Sequence, residues 1–360
     1  MKILTRHLFL NLIKPMIYLL LAFTMLFIIA DLMNNASEWI TKSVPMRVIL
    51  QYYTLMLPSM IIFIVPICLL LATLYSLSML TRHSEIVAMR ASGVSIYSII
   101  RSYLFMGILC SLITFFINEF WGAQRAYSAE KLNESHINPE EGNVYTDAFF
   151  LKNPIKLTSW HIESFDTRTY TMNNVVFRTF RPDGSDLKKI TAKKGYWLDE
   201  EWWLQDGTIE EFDENSIRLP KELQFDTWQL KVSETPQDLI NELKPAEYRS
   251  SLELRHYIKT HKFLKEETLN KYRVDFHHRL TMPFICLIAV IIGIPVGAHT
   301  GRKGALAGIM LAIGMFFGLY ALQFTMEYLA KQMYIAPWIG AWSSIILFTI
   351  IGSVMIHRMR

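Results

Sequence analysis

The sequence predicts an α-helical integral membrane protein with six transmembrane helices and an inserted all-β domain of jelly-roll type. Of its 360 residues, 52% are hydrophobic and only 19% charged, too apolar for a soluble chain of this length. Apolar runs fall in two groups, at 15–33, 52–80 and 96–121 and again at 280–298, 305–326 and 335–356, most of them near the roughly 20 residues that span a bilayer. Between the groups the texture changes to short runs rich in aromatic and β-branched residues, separated by turn signals.

The first run follows Lys2, Arg6, His7 and Lys14, as a secretory leader would. It is longer than a leader's core, and Ile28-Ile29-Ala30-Asp31 lacks a small-x-small cleavage pattern, so an uncleaved anchor is expected. The second run holds Pro58 and Pro66, which predict a tilt or kink. Near the inner end of the third, Arg101 can snorkel. Cys68, Cys110 and Cys286 lie singly inside apolar runs and read as small hydrophobes rather than metal ligands or disulfide partners.

Charge sets the orientation. Lys2, Arg6, Lys14, Arg82, Arg90, Arg302, Lys303, Arg358 and Arg360 flank one set of span ends, whereas the opposite short loops hold Lys42, Arg47 and Lys331. The positive-inside rule then places both termini in the cytoplasm and residues 122–279 outside. The three domains are thus 1–121, 122–279 and 280–360. The two triplets of spans start on opposite sides of the bilayer, but no matching sequence marks a repeat. A net charge of +4, with basic residues at span ends, fits a membrane surface and not a nucleic acid.

The outer insert begins with a polar helical stretch at 123–135. Candidate strands follow at 144–151, 155–164, 169–180, 187–192, 195–198, 202–212 and 222–232, with Arg181-Pro182-Asp183-Gly184 and Asp206-Gly207 as the clearest turns. The even spacing predicts one antiparallel sandwich or open barrel. In the last strand Leu223 and Phe225 alternate at odd positions but Trp228, Leu230 and Val232 at even ones, so either a bulge lies near Asp226 and Thr227 or the strand is buried on both faces. Residues 251–272 read as helix leading back to span four.

The stretch 81–93, between spans two and three, reads as a short cytoplasmic helix. Ser84 can cap it, Glu85 falls in the first turn where the helix dipole favours an anion, and Gly93 supplies a left-handed stop. Ile86 and Met89 share a face while Arg82 and Arg90 stay wet, so the helix can dock on a soluble partner; an ordinary basic loop fits the spacing as well.

Catalytic signatures are missing. There is no phosphate loop of the G-x-x-x-x-G-K-[ST] type, since Gly301-Arg302-Lys303-Gly304 is too short, and neither H-E-x-x-H nor G-x-S-x-G occurs. His277 and His278 point about 100° apart on a helix and do not share a metal. Neither a catalytic residue nor a metal site is expected. Asp31, Glu119, Arg279 and Glu327 sit near the outer boundary rather than mid-membrane, which disfavours an ion-driven carrier. Lys42, Arg47, Arg125, Arg273 and Arg279, near a β domain with Phe225 and Trp228, suit an anionic amphipathic lipid; head-group anchoring of span ends explains the same cations.

Ser84-Glu85-Ile86-Val87-Ala88-Met89-Arg90-Ala91-Ser92-Gly93 resembles the inner-loop signature of the lipopolysaccharide-export permeases, the membrane subunits of an ATP-binding-cassette exporter. Tyr272-Arg273-Val274-Asp275-Phe276-His277-His278-Arg279-Leu280-Thr281-Met282-Pro283-Phe284, running on to Gly293-Ile294-Pro295-Val296-Gly297, is similar to that family's approach to its fourth span. The resemblance implies two related six-span subunits in the bacterial inner membrane, a cytoplasmic ATPase dimer that carries ATP and Mg, and a periplasmic bridge of jelly-roll type. It implies lipopolysaccharide as substrate, no cofactor on this chain, and Ser84, Glu85, Ile86, Met89, Arg90 and Gly93 as the coupling helix. Two rivals stay open: a permease-like subunit that passes ATPase motion to a periplasmic protein without moving lipid, and an ATPase-independent anchor or sensor.

Overall fold

The computed structural model describes residues 2–137, 144–145, 149–153, 156–213, 217–262, 265–299 and 305–358. Ile155, the 301–304 loop with Arg302 and Lys303, part of the strand expected at 144–151, and Arg360 lie outside the described residues.

The chain opens with two long helices, α1 (Lys2–Thr41) and α2 (Met46–Arg82), each continuous through its prolines. A short α3 (Glu85–Ala91) precedes α4 (Ile96–Ile117), a π-helical turn (Asn118–Gly122) and α5 (Ala123–Ile137). Strands β1 (Val144–Tyr145), β2 (Phe149–Asn153), β3 (Thr158–Asp166), β4 (Thr171–Phe180), β5 (Asp186–Leu198), β6 (Glu201–Phe212) and β7 (Arg218–Leu230) follow. The chain returns through α6 (Pro236–Leu243), a 3₁₀ turn (Ala246–Tyr248), α7 (Ser251–Thr260) and α8 (Glu266–Thr281). It ends with α9 (Phe284–His299), α10 (Ala305–Lys331) and α11 (Pro337–His357).

Among the described residues, five stretches are long and apolar enough to cross a membrane, and the pair α8 and α9 makes a sixth if its 48° bend is counted as one broken span. The break falls at Pro283, which has no N–H to donate to the preceding turn and whose ring crowds it. The Pro283 carbonyl accepts both the Cys286 N–H, at 3.2 Å, and the Ser111 hydroxyl, at 2.8 Å.

Two compact units emerge. The first comprises Met1–Ser37, Tyr53–Ser128 and Ala246–Arg360. Its core joins Leu8 and Leu12 of α1 with Leu69 and Leu77 of α2, Ile99 and Tyr103 of α4, and Val290 and Ile294 of α9. Gly293 and Gly297 let α9 lie against α2: a β-carbon on either would fall 3.0 Å from Thr73 Cγ2 or 2.9 Å from Leu77 Cβ. Small residues four apart are the usual means of close helix approach in lipid, where apolar burial drives little.

The second unit comprises Glu38–Tyr52 and Ala129–Pro245. Its described strands form one seven-stranded antiparallel sheet, in which β3 to β7 are neighbours in sequence order and β1 and β2 both pair with β3. The segments expected at 187–192 and 195–198 are one strand, β5. Trp160, Phe165, Phe177 and Trp202 are fully buried on the inner face, with Trp160 and Phe177 centroids 4.7 Å apart. The sheet is rolled, because the segment after β7 returns to β3 and β6: Glu234 accepts the Thr158 hydroxyl at 2.9 Å, and its carbonyl accepts Trp202 Nε1 at 2.7 Å.

The phase shift expected in the last strand is present, but no bulge lies at Asp226 and Thr227. Pairing of β6 with β7 keeps one register from Trp202↔Leu230 to Glu210↔Glu222, and the register shift lies between Glu210 and Phe212. What changes the phase is a crease across the sheet. The ladders skip Glu163, Asn174, Lys193, Asp206 and Asp226, one residue in each of five strands and all at the same level. Asn174 and Asp206 adopt left-handed backbone there, with φ of 47° and 52°, which short polar side chains tolerate. Because all five of these strands break at once, register survives while the inward parity flips, from Ile162 to Phe165 on β3 and from Leu204 to Ile209 on β6. A bulge in β7 alone would have slipped its pairing.

Candidate functional site

The short α3 is held at its C-terminal end by a left-handed Gly93, φ 85°, with Val94 N–H donating to Met89 and Gly93 N–H to Arg90. This is a Schellman stop. At the other end the expected Ser84 side-chain cap is absent: Ser84 sits at φ 59°, and only its carbonyl takes part, accepting the Ala88 N–H at 2.9 Å. In that backbone state the hydroxyl does not reach the second- and third-residue amides. Glu85 lies in the first turn as expected, and its carboxylate is 3.1 Å from His7 Nε2 of α1.

The face shared by Ile86 and Met89 turns inward. Both are partly buried against the cluster of Leu77, Ile99 and Tyr103, so much of this face is covered by the chain itself. The outward side carries Val87, 65% exposed, with Ala88, Arg90 and Ala91. Helical periodicity pairs residues on a face without saying which side the bundle takes.

At the far end of α4 the π turn re-aims two side chains. Asn118 Oδ1 accepts from Arg279 at 3.2 Å, and the Glu119 carboxylate accepts the Ser251 and Leu252 amides, each at 3.1 Å, at the start of α7. A carboxylate there satisfies otherwise unpaired N–H groups and complements the helix dipole. Ser59 donates to the Gly122 carbonyl at 2.8 Å. Nearby, Lys331 of α10 bridges Asp275 at 2.7 Å and Glu327 at 3.0 Å, and Glu327 is 3.0 Å from His278, which ties α8 to α10. Among the described residues no group of three His, Cys, Asp or Glu side chains is placed to hold a metal.

The rolled sheet encloses an open cleft of about 540 Å³ in the second unit. Phe177, Ile190, Trp228, Leu230 and Val232 give it an apolar lining, and Lys156, Lys188 and Lys231 bring cations to it. Lys188 Nζ lies 5.2 Å from the Trp228 ring centroid, a cation–π contact, and Lys156 is 3.8 Å from Glu234. Three lysines beside one carboxylate leave the cleft net positive.

Of the cations expected to meet a lipid, Lys42, Arg47 and Arg125 are exposed, Arg273 pairs with Glu266 at 2.5 Å, and Arg279 is buried with its guanidinium bonded to Asn118 and the Glu247 carbonyl. Arg279 therefore faces protein. Phe225 and Trp228 do come together, their centroids 6.0 Å apart, with Trp228 in the cleft. Lys156, Lys188 and Lys231 were not singled out by the sequence, and His7 only as part of the basic stretch before the first span, because their neighbours come from other strands or helices.

A family model described as lipopolysaccharide export system permease LptF/LptG matches residues 6–358, nearly the whole chain. A search of curated proteins finds no match.

Proposed function

The chain belongs to the LptF/LptG family of lipopolysaccharide export system permeases, and from that premise we propose that it is one of two six-span subunits of an ATP-driven exporter. It is a transport subunit and not an enzyme. In this reading the fourth span runs from Leu280, at the end of α8, through α9, both termini are cytoplasmic, and residues 122–279 form a periplasmic domain of jelly-roll type. ATP and Mg belong to a partner ATPase dimer, which engages α3 through Val87, Ala88, Arg90 and Ala91. A periplasmic bridge protein of similar fold receives the lipid.

The observation that carries the reading is the cleft. An acyl chain leaving the bilayer loses about 0.8 kcal/mol for each CH₂ exposed to water, so a periplasmic route needs an apolar surface. Trp228, 37% exposed, and the partly buried Val232 present one over the buried Phe177, Ile190 and Leu230, and the lysines suit a phosphorylated head group.

Replacing Glu85 with Ala tests the coupling half of the proposal. In proteoliposomes holding the whole exporter, ATP hydrolysis should persist while lipopolysaccharide release falls at least tenfold. Unchanged release per ATP would remove α3 from the mechanism.

A further inference from the structure

The contact between His7 and Glu85 joins two elements that are far apart in sequence. His7 Nε2 is 3.1 Å from the Glu85 carboxylate and 3.0 Å from the Asn11 side-chain amide, one helical turn further along α1. Directly beneath, Leu8 and Leu12 are 2% and 1% exposed and belong to the cluster on which Ile86 and Met89 pack. The first turns of α1 and the inner face of α3 therefore share one apolar cluster, and the His7–Glu85 contact, a polar clasp, joins the two helices beside it. Farther along, α1 is held differently: no residue in its most apolar window is buried within this chain. Leu19, Leu20 and Phe23 make only partial contacts there.

We propose that His7 is a positioning residue for ATPase coupling, tying α1 to α3 through Glu85 so that a push on α3 moves the cytoplasmic end of α1. The inference rests on the reading of α3 as the coupling element. With its proton on Nε2 the imidazole donates to Glu85, which fixes the carboxylate in the first turn of α3; with the proton on Nδ1, Nε2 accepts from Asn11 and the clasp opens. Because both partners are substantially exposed, with side chains 51% and 40% accessible, the clasp contributes little to stability, and its effect is one of position. A helix loosely held along its span can follow its tied end as a rigid rod.

The test uses the complete exporter in proteoliposomes, with ATP hydrolysis and lipopolysaccharide release measured together for His7→Ala, His7→Gln, Glu85→Ala and the His7→Ala/Glu85→Ala double variant. His7→Ala should lower lipid released per ATP three- to tenfold without loss of complex, and His7→Gln, which keeps a donor, should recover most of it. The double variant should be no worse than Glu85→Ala, since the two residues act as one unit. If Glu85→Ala uncouples but His7→Ala does not, or if the two losses multiply, the clasp is overturned while the coupling role of α3 stands. If Glu85→Ala has no effect, both fall.

Discussion

The ring of Phe225 lies over Gly207 of the neighbouring strand, so close that a β-carbon on the glycine would stand 2.4 Å from Phe225 Cζ and 2.3 Å from the Thr191 carbonyl oxygen. The glycine is next to Asp206, in the crease, where the inward face of β7 changes parity. Gly207→Ala should push Phe225 aside or open the β5–β6 pairing. A loss of about 1–3 kcal/mol is expected, read as a lower melting temperature of the full chain in detergent.

A second glycine tests the helical unit. Gly297→Val should force α9 from α2, because Leu77 Cβ already stands 2.9 Å from the nearest position a side chain could take. Gly314→Val is the control, since nothing lies within 4 Å of that site in the chain. The expected result is a loss of about 1–3 kcal/mol for Gly297→Val alone, measured by thermal unfolding of the purified chain.

Arg279 is the buried cation that links the π turn to α8, and its removal leaves Asn118 and the Glu247 carbonyl without their donor and Glu119 without a nearby positive charge. Arg279→Ala should cost about 3 kcal/mol or more. Arg279→Lys should not restore it, because Asn118 and the Glu247 carbonyl are met by two different guanidinium nitrogens, and one ammonium nitrogen does not span both positions. Melting temperature and yield of folded chain report the outcome.

The cleft lysines should act on affinity. Replacing Lys156, Lys188 and Lys231 together with Ala should weaken binding of lipopolysaccharide to the full chain by at least about tenfold. The difference should shrink as salt screens the pairing. Binding of the dephosphorylated lipid should hardly change. Equal affinity of the two proteins for the phosphorylated lipid would show that the lysines take no part.

Features written locally in the chain were readable from it. The long apolar helices follow from composition over windows of twenty or so residues, and Gly93 marks the end of α3 by its own backbone freedom. The phase change between Phe225 and Trp228 was also visible. Its cause was not, because the skipped residues Glu163, Asn174, Lys193 and Asp206 lie on four other strands that only the sheet brings level. For the same reason Lys156, Lys188 and Lys231 gave no signal, since the roll brings residues from distant parts of the sheet to one cleft. The inward turn of Ile86 and Met89 depends on what α1 and α4 offer them. The π turn at Asn118 depends on partners from α7 and α8, more than a hundred residues later.

The most direct test of the export reading is a photo-crosslinking amino acid at Phe225, beside the cleft, in the complete exporter reconstituted with lipopolysaccharide. The account predicts a lipopolysaccharide adduct that forms on adding ATP and is lost in the Glu85→Ala variant. Adducts to protein alone, with no lipid captured under turnover, would contradict it.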